Sequence, residues 1–335
     1  MSSSSTIGDV LNTVRQYSVY LNYLAIIGGI FGHILNLLVF TQLKRFRNNR
    51  YALYIIIESI IALIFLFIST TSVLLRIAYG YDLSDNNLIW CRMRFIFYQG
   101  LSLILFFTIC CAACDQFCST SYHFSIKQLC TLKLVQYLMS ISSCLWFIHS
   151  FVFSLFLNIQ PLFGCIITNP ILTTYSTYFF YPFLYGPVQI AVAYLFSLLA
   201  FRNVRRIIRR QVPIIRRRLD QQMTAMILTR VLFFIILSLP YTIYRIYGIN
   251  NPPPKSNQLQ YTIGLFLQTN LNYLFSLNYQ CSFYIFFAIS SQYRRQVKYV
   301  LVKRCWQRWK NWYCIHHNQV IPINIASTIS NNELD

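Results

Sequence analysis

The chain has 335 residues, of which 56% are hydrophobic and 11% are charged, and its formal net charge is +20. A soluble domain of this size needs far more charge to cover its surface, so the composition excludes an ordinary soluble protein. The excess of basic residues does not indicate nucleic-acid binding, because these residues stand in short blocks between apolar runs, and that pattern sets the orientation of membrane proteins.

Seven apolar runs follow one another along the chain. Each has about 24 to 30 residues, and about 20 suffice to cross the hydrocarbon core as a helix. Continuous runs of this length exclude the short strands of a membrane barrel. The predicted fold class is an all-α membrane protein, a seven-transmembrane helix bundle. Its predicted spans are Ser18–Leu43, Leu53–Ile77, Cys91–Ser119, Leu132–Leu157, Tyr178–Phe201, Thr224–Tyr247 and Tyr261–Ser290.

Lysine and arginine predict the orientation. The loops after the first, third and fifth runs and the C-terminal tail are basic, and the densest block is Arg202–Arg218. The positive-inside rule therefore puts the N-terminus outside and the C-terminus in the cytoplasm, in a multi-pass protein expected in the plasma membrane. The predicted divisions are an extracellular N-terminus (1–17), a transmembrane domain (18–290), an amphipathic helix (291–305) and a cytoplasmic tail (306–335).

The segment after the seventh run predicts an amphipathic eighth helix on the inner leaflet, where anionic lipids attract its basic face. Its apolar face would hold Tyr293, Val297, Val300 and Leu301. Cys305 ends this segment beside basic residues, where palmitoylation is common. An unmodified thiol is the alternative at this position.

Single residues at fixed spacings recur in the first and third runs. Gly32 lies one turn before Asn36, which allows a neighbouring helix to approach closely. Trp90 and Cys91 open the third run, and Gln116 follows Cys91 by 25 residues, near the inner end of the run.

The later runs carry further residues of this kind. Trp146 lies in the middle of the fourth run, and Pro187 and Pro240 interrupt the fifth and sixth, where proline frees a carbonyl and kinks the helix. Taken with the first and third runs, these positions resemble the rhodopsin-like (class A) G-protein-coupled receptors over about residues 26–305. The chain is similar to a divergent member, nearest to peptide-type receptors.

The chain departs from the family at its switch motifs. The Asp-Arg-Tyr triplet reads Asp115-Gln116-Phe117, and the seventh-helix Asn-Pro-x-x-Tyr motif reads Ser282 to Phe286. The tryptophan before the sixth-helix proline is missing. The acid that holds sodium in the second helix is replaced by Ala62, with Glu58 one turn earlier, which argues against a sodium site.

The resemblance implies roles for single residues. It implies a disulfide between Cys91 and Cys165, and structural anchors at Asn36, Trp146 and Pro187. It assigns coupling and switching to Asp115, Gln116, Phe117, Asp220, Pro240, Ser282 and Phe286. With glutamine at 116, Asp220 can only accept a neutral hydrogen bond there. We expect the Asp115 carboxylate to take a cation instead, from Lys127 or a first-loop residue such as Arg50.

The residues of the expected cavity narrow the possible classes of ligand. Tyr98 stands where amine receptors carry an acid, and the seventh run has no lysine to form a retinal Schiff base. The candidate ligand-binding residues are Tyr98, Gln99, Tyr241, Tyr244, Arg245, Gln268, Asn272 and Arg76. The arginines Arg76 and Arg245 either reach the membrane surface or hold an anion of the ligand. A short peptide or a small acidic molecule fits this set.

The expected function is a receptor that passes an extracellular signal to heterotrimeric G proteins, without a cofactor or metal. One alternative is a receptor-shaped protein that no longer couples, such as a decoy. Another is a small-solute transporter, which would need broken helices and buried carboxylates along a path, and only Glu58 and Asp115 qualify. An enzyme is disfavoured because no metal cluster, catalytic triad or phosphate loop is evident.

Overall fold

The computed structural model describes residues 2–42, 50–79, 83–121, 124–129, 131–160, 164–207, 214–251 and 258–306, together with 309 and 313. Almost all of these residues are helical. Six long helices follow in chain order: α1 (Ser2–Gln42), α2 (Arg50–Tyr79), α3 (Leu88–Thr120), α4 (Leu132–Ser154), α5 (Pro187–Ile207) and α6 (Ile214–Asn250). Short helical turns, Leu83–Asp85 and Phe124–Leu129, lie on either side of α3.

Six helical segments are long and apolar enough to cross a membrane, which indicates a membrane protein. Large apolar side chains such as Leu24, Phe67 and Ile148 point outward and are exposed, as expected of a lipid-facing surface. The six segments correspond to the first six predicted runs and cover Val19–Gln42, Arg50–Leu75, Leu88–Thr120, Leu132–Ser154, Pro170–Arg206 and Gln221–Asn250.

The seventh predicted run is divided. Helix α7 (Gln258–Ser276) ends in a single 3-10 turn, Leu277–Tyr279, and helix α8 (Ser282–Ile289) begins three residues later. Neither part belongs to the six segments above. Residues 280 and 281 lie between the two helical parts.

The fifth run also contains an irregular section. A short helix, Pro170–Tyr175, continues as a π-helix over Ser176–Leu184 that contains Pro182. Pro187 is the first residue of α5. An amide hydrogen at this position would have no acceptor within the helix, so proline fits there without the loss of a helical hydrogen bond. The kink predicted at Pro187 is therefore a break between two helical segments.

The helices pack in a closed ring. Along this ring α1 contacts α2, α2 contacts α3, α3 contacts α5, α5 contacts α6, α6 contacts α7, and α7 returns to α1. Helix α4 packs on the outside of the ring, against α3. Helix α3 therefore contacts four of the other long helices, α2, α4, α5 and α6, which agrees with its continuous burial from Gln99 to Phe106.

Two features of the ends differ from the predicted bounds. Helix α1 begins at Ser2, 16 residues before the predicted span, because residues 2–17 contain no proline and extend a helix that the apolar run has nucleated. Helix α9 (Ser291–Lys298) is followed by a π-helical segment, Tyr299–Cys305, and buries Tyr293, Val297 and Val300 as predicted. Leu301, predicted on the same face, is 41% exposed, since the π-helical segment turns it outward.

Candidate functional site

One end of the helix ring is fixed by a disulfide between Cys91, at the start of α3, and Cys165, with Cα atoms 6.0 Å apart. Cys165 lies in the hairpin formed by strands β1 (Leu157–Gln160) and β2 (Gly164–Ile167), opposite Ile159. Arg92 donates hydrogen bonds to the carbonyls of Leu155 and Leu157. The hairpin is thus held to α3 by a covalent bond and by a guanidinium, and we call this the disulfide end.

The predicted ligand-binding residues fall into two groups near the disulfide end. In the first, Tyr98 packs edge-on against Phe65, with ring centroids 4.9 Å apart, and the guanidinium of Arg94 lies 5.8 Å from the Tyr98 ring. In the second, Tyr241 packs on Phe275 at 4.4 Å. Rings from α2, α3, α6 and α7 therefore meet here.

A stacked pair of rings connects the two groups. Phe65 stacks face to face on Tyr279 at 3.7 Å, and Tyr279 contacts Phe275 at 6.1 Å. Tyr185 also contacts both Phe275 and Tyr241. The aromatic side chains expected to line a cavity pack against one another in this conformation.

Arg245 lies at the edge of this aromatic cluster. Its guanidinium donates to the hydroxyl of Tyr181 at 3.4 Å and lies 5.9 Å from the centre of the Tyr181 ring. Its Nε is buried and makes no hydrogen bond. Among the described residues, no carboxylate forms a salt bridge with Arg245, so its charge is available to an anion.

The remaining predicted ligand residues differ in their environments. Tyr244 donates to the carbonyl of Gly264 at 2.8 Å and thereby joins α6 to α7. The amide nitrogen of Gln99 is buried without a hydrogen-bond partner, whereas Gln268 is half-buried and Asn272 is exposed. Arg76 lies in α2, and its side chain lies outside the described part of the structure.

A buried ion pair lies in the middle of the ring. Arg230 of α6 donates from Nε to the Glu58 carboxylate at 2.9 Å, and the two side chains are only 4% and 8% exposed. The guanidinium also donates to the backbone carbonyl of Asn278 at 2.9 Å. Arg230 therefore joins α2, α6 and the turn between α7 and α8.

The same turn is held by further polar groups. Asn278 donates from its side-chain amide to the hydroxyl of Ser238 at 3.0 Å, and the imidazole Nε2 of His33 lies 2.7 Å from the carbonyl of Tyr279. Irregular backbone at membrane depth is tolerated only where the surrounding protein satisfies its polar groups. Arg230 and His33 supply that here.

A cavity of about 20 Å³ adjoins the ion pair, enough for one or two water molecules. Its lining includes both charged side chains, Thr108 of α3 and Phe286 of α8. Phe286, predicted as a switch residue, thus lies against the centre of the ion-pair network. Ala62, where the family has its sodium-binding acid, is fully buried.

The opposite end of the ring carries the predicted triplet, and we call it the basic end. Arg50, the first residue of α2 and not part of the first loop, donates to the Asp115 carboxylate at 3.1 Å, so of the two predicted cation donors, Lys127 and Arg50, Arg50 is the one observed. Gln116 is buried and donates to the hydroxyl of Thr224 at 2.8 Å, which joins α3 to α6. Phe117 packs on Phe196 of α5.

The Gln116 amide donates to the hydroxyl of Thr224, which lies one helical turn after Asp220 along α6. The neutral hydrogen bond that Asp220 could accept from Gln116 stays a prediction. The side chain of Asp220 lies outside the described residues, as does that of Cys305, the predicted lipidation site.

Asn36 joins three segments at the basic end. Its amide nitrogen donates to the hydroxyl of Ser282 at 3.4 Å, and its carbonyl oxygen accepts a hydrogen bond from the Tyr293 hydroxyl. A side chain at Gly32 would place its Cβ 3.0 Å from Phe283, so glycine permits this close approach of α1 to α8. Asn36 thus connects α1, α8 and α9 where glycine at 32 leaves room for α8.

Pro240 lies inside helix α6, between Ser238 and Thr242. The Thr242 hydroxyl donates to the carbonyl of Ser238 at 3.0 Å. Opposite it, a Cβ at Gly186 would lie 2.5 Å from the Thr242 methyl group, so only glycine fits there. Trp146 lies on the outer helix α4 and packs edge-on against Phe107 of α3.

Sequence reasoning missed Arg230, Asn278 and Thr224. Arg230 stands alone in the apolar run Thr224–Tyr247, and a charge inside a membrane span requires a buried partner. That rule, applied to Glu58, could have found the pair. Asn278 and Thr224 carry no comparable signal, because uncharged polar residues are frequent in such helices.

No model of a known protein family matches the chain, and no curated protein matches it significantly.

Proposed function

We propose that this chain is a rhodopsin-like G-protein-coupled receptor with seven spans, in which α7 and α8 together form the seventh and α9 is a membrane-surface eighth helix. It lies in the plasma membrane with the disulfide end outside and the basic end in the cytoplasm, as the basic loops indicate. Its partners are an extracellular ligand, a heterotrimeric G protein and anionic inner-leaflet lipids. The proposal rests on the polar contacts of α6 with its neighbours at three levels of the ring. Tyr244 bonds near the disulfide end, Arg230 in the middle, and Thr224 at the basic end.

Helix α6 has the form of a lever. Pro240 lacks an amide hydrogen and weakens the helix between Arg245, near the disulfide end, and Arg230 and Thr224, nearer the basic end. A swing of the inner part of α6 about Pro240 would break the bond from Gln116 to Thr224. It would open a surface beside the basic block Arg202–Arg218, where a G protein binds.

The ligand chemistry follows from Arg245. Its guanidinium has a weakly held hydroxyl partner and a buried Nε without any. A carboxylate accepts two parallel hydrogen bonds from a guanidinium, and the Tyr181 ring lies beside this guanidinium. The proposed ligand is therefore a short peptide or a small acidic molecule. We expect Arg245→Gln to weaken its binding and Arg245→Lys to restore only part of it.

The proposal is tested by reporting several G-protein pathways in cells, with signals normalised to surface expression. The contact between Gln116 and Thr224 is a neutral hydrogen bond, which holds the inactive state less firmly than an ion pair would. We therefore expect measurable ligand-independent signalling from the unmodified chain. Gln116→Arg should lower it, because arginine would gain Asp115 and Asp220 as partners.

A matched pair of substitutions sharpens this test. Thr224→Ala removes the acceptor and should raise basal signalling about two- to tenfold, the range for one net hydrogen bond. Thr224→Ser keeps a hydroxyl and should leave it unchanged. If basal signalling is absent and Gln116→Arg first confers a ligand response, the native chain is a silent receptor.

Two other functions are each favoured by one observation. The neutral bond of Gln116 favours a receptor-shaped protein that no longer couples, such as a decoy or scaffold. The broken seventh run beside the buried Glu58 favours a small-solute transporter, since transporters place broken helices at their substrate sites. The carboxylate of Glu58 is occupied by Arg230, however, and a transporter would need it free for its substrate. Uptake of solutes into cells that express the chain separates the transporter from both receptor functions.

A further inference from the structure

Three aromatic rings stack in a row beyond the end of the eighth helix. Trp306 contacts Trp309 with ring centroids 5.2 Å apart, and Trp309 contacts Tyr313 at 5.6 Å. The two indoles are 60% and 53% exposed, and Val302, one turn earlier, is 66% exposed. The intervals of four, three and four residues put these four side chains on one helical stripe, which we call the aromatic stripe.

This stripe is distinct from the face that holds the eighth helix in place. Tyr293, Val297 and Val300 are buried, and α9 contacts α1 and α8 through this face. The aromatic stripe begins only after Val300, and its side chains are exposed. The helix packing described above therefore does not account for it.

The charge of the surrounding sequence is uniformly positive. Seven lysine and arginine residues occur between Ser291 and Asn332, and no acidic residue occurs there. Four of the basic residues, Lys303, Arg304, Arg308 and Lys310, alternate with the members of the stripe. A stripe of tryptophan and tyrosine between basic residues matches the boundary between headgroups and acyl chains of an anionic leaflet.

We infer that the aromatic stripe Val302, Trp306, Trp309 and Tyr313 is a lipid-docking surface that binds an anionic membrane leaflet. It extends the membrane-bound part of the tail beyond Cys305, into residues expected to be free in the cytoplasm. The occupant is a lipid surface because the segment continues from α9, which itself begins two residues after α8, at the end of the last apolar run. Its rings would lie among the headgroups while the lysine and arginine side chains contact lipid phosphates and carboxylates.

The test is hydrogen–deuterium exchange of the full chain in nanodiscs, read over residues 299–313. We expect exchange to be at least about tenfold slower in discs that contain phosphatidylserine than in pure phosphatidylcholine discs, because each basic residue near an anionic leaflet strengthens binding roughly fivefold. High salt should remove most of this difference. The inference depends on membrane insertion alone, so it can fail while receptor signalling is demonstrated, and the reverse also holds.

Variants separate the stripe from its neighbours. Trp306→Ser with Trp309→Ser should abolish the slow exchange, whereas Trp312→Ser, one position off the stripe, should keep it. Unchanged exchange in α3 shows that the double variant is folded. Equal protection in both kinds of disc would overturn the inference. So would protection that appears only when an acidic partner such as calcium-loaded calmodulin is added, because the stripe would then bind a protein.

Discussion

Two ion pairs join helices in the described part of the chain, and their surroundings differ. Glu58 and Arg230 lie in the middle of the ring, and their side chains are less than a tenth exposed. Arg50 and Asp115 lie at the basic end, where their side chains are 24% and 13% exposed. The distances between the charged atoms, 2.9 and 3.1 Å, are nearly the same.

The comparison teaches that distance alone does not rank ion pairs. At the basic end, water and salt replace much of what a lost partner provided, so the pair contributes little. In the middle of the ring nothing replaces the partner, and a single charge left there is strongly unfavourable. The buried pair therefore acts mainly through the penalty for separating its members. Any motion of α6 relative to α2 must either carry Glu58 along or supply Arg230 with another acceptor.

The largest effect is expected from removing one member of the buried pair. Arg230→Met or Glu58→Gln should each lower the free energy of unfolding by about 3 to 5 kcal/mol, because the remaining group stays buried without its partner. Thermal unfolding of the purified chain in nanodiscs measures this. The double variant Glu58→Leu with Arg230→Met should lose much less than the sum of the two, since neither charge remains. Additive losses would show that the two residues do not act as a pair.

A conservative change tests whether the fork of the guanidinium matters. Arg230→Lys keeps the charge beside Glu58 but cannot also reach the Asn278 carbonyl with the same geometry. We expect the free energy of unfolding of this variant to lie between that of the unmodified chain and that of Arg230→Met. A lysine variant as stable as the original would mean that the turn after α7 does not depend on this contact.

A smaller effect is expected at the basic end. Asp115→Asn should lower the free energy of unfolding by about 1 kcal/mol or less, and high salt should reduce the difference further. Arg50→Gln provides the matched change on the other partner. The losses at the buried pair should not respond to salt. If Asp115→Asn is as damaging as Glu58→Gln, exposure is not what separates the two pairs.

The smallest effect is expected from sodium. Because the Glu58 carboxylate already binds a guanidinium, replacing sodium by choline at constant ionic strength should leave the unfolding temperature unchanged. In Arg230→Met the carboxylate is released and a sodium dependence should appear. A sodium effect in the unmodified chain that disappears in Glu58→Gln would show that the ion competes with Arg230.

Features that follow from general rules of membrane proteins could be predicted from the sequence. The first six apolar runs correspond to helices because bilayer thickness fixes their length. Asn36 has the contacts that a polar anchor needs, and Asp115 has the expected cationic partner. These follow from simple requirements: a polar group in an apolar span needs a partner, and a carboxylate needs a cation.

The rest depended on three-dimensional details that spacing does not encode. The π-helical section around Pro182 and the turn at Leu277–Tyr279 arise from packing, and no glycine or proline marks the second. Thr224 and Asp220 lie one helical turn apart on α6. Which of the two accepts a hydrogen bond from the Gln116 amide depends on the rotation of α6 about its axis. Whether aromatic residues line a cavity or fill it depends on the conformation, and Phe65 and Tyr279 fill it here.

The hydrogen bonds of Asn36 join three segments of the chain into one body. One amide group ties α1 to α8 through Ser282 and to α9 through Tyr293, so these three segments are expected to move as a single body. Among the described residues, helix α6 shares no hydrogen bond with Asn36, and Arg230 is a polar link from α6 to the turn beside α8. In the proposed swing of α6, the tail would therefore keep its position while the inner end of α6 moves. A fluorescent label on the tail should report no displacement on activation, whereas a label on the inner end of α6 should report all of it.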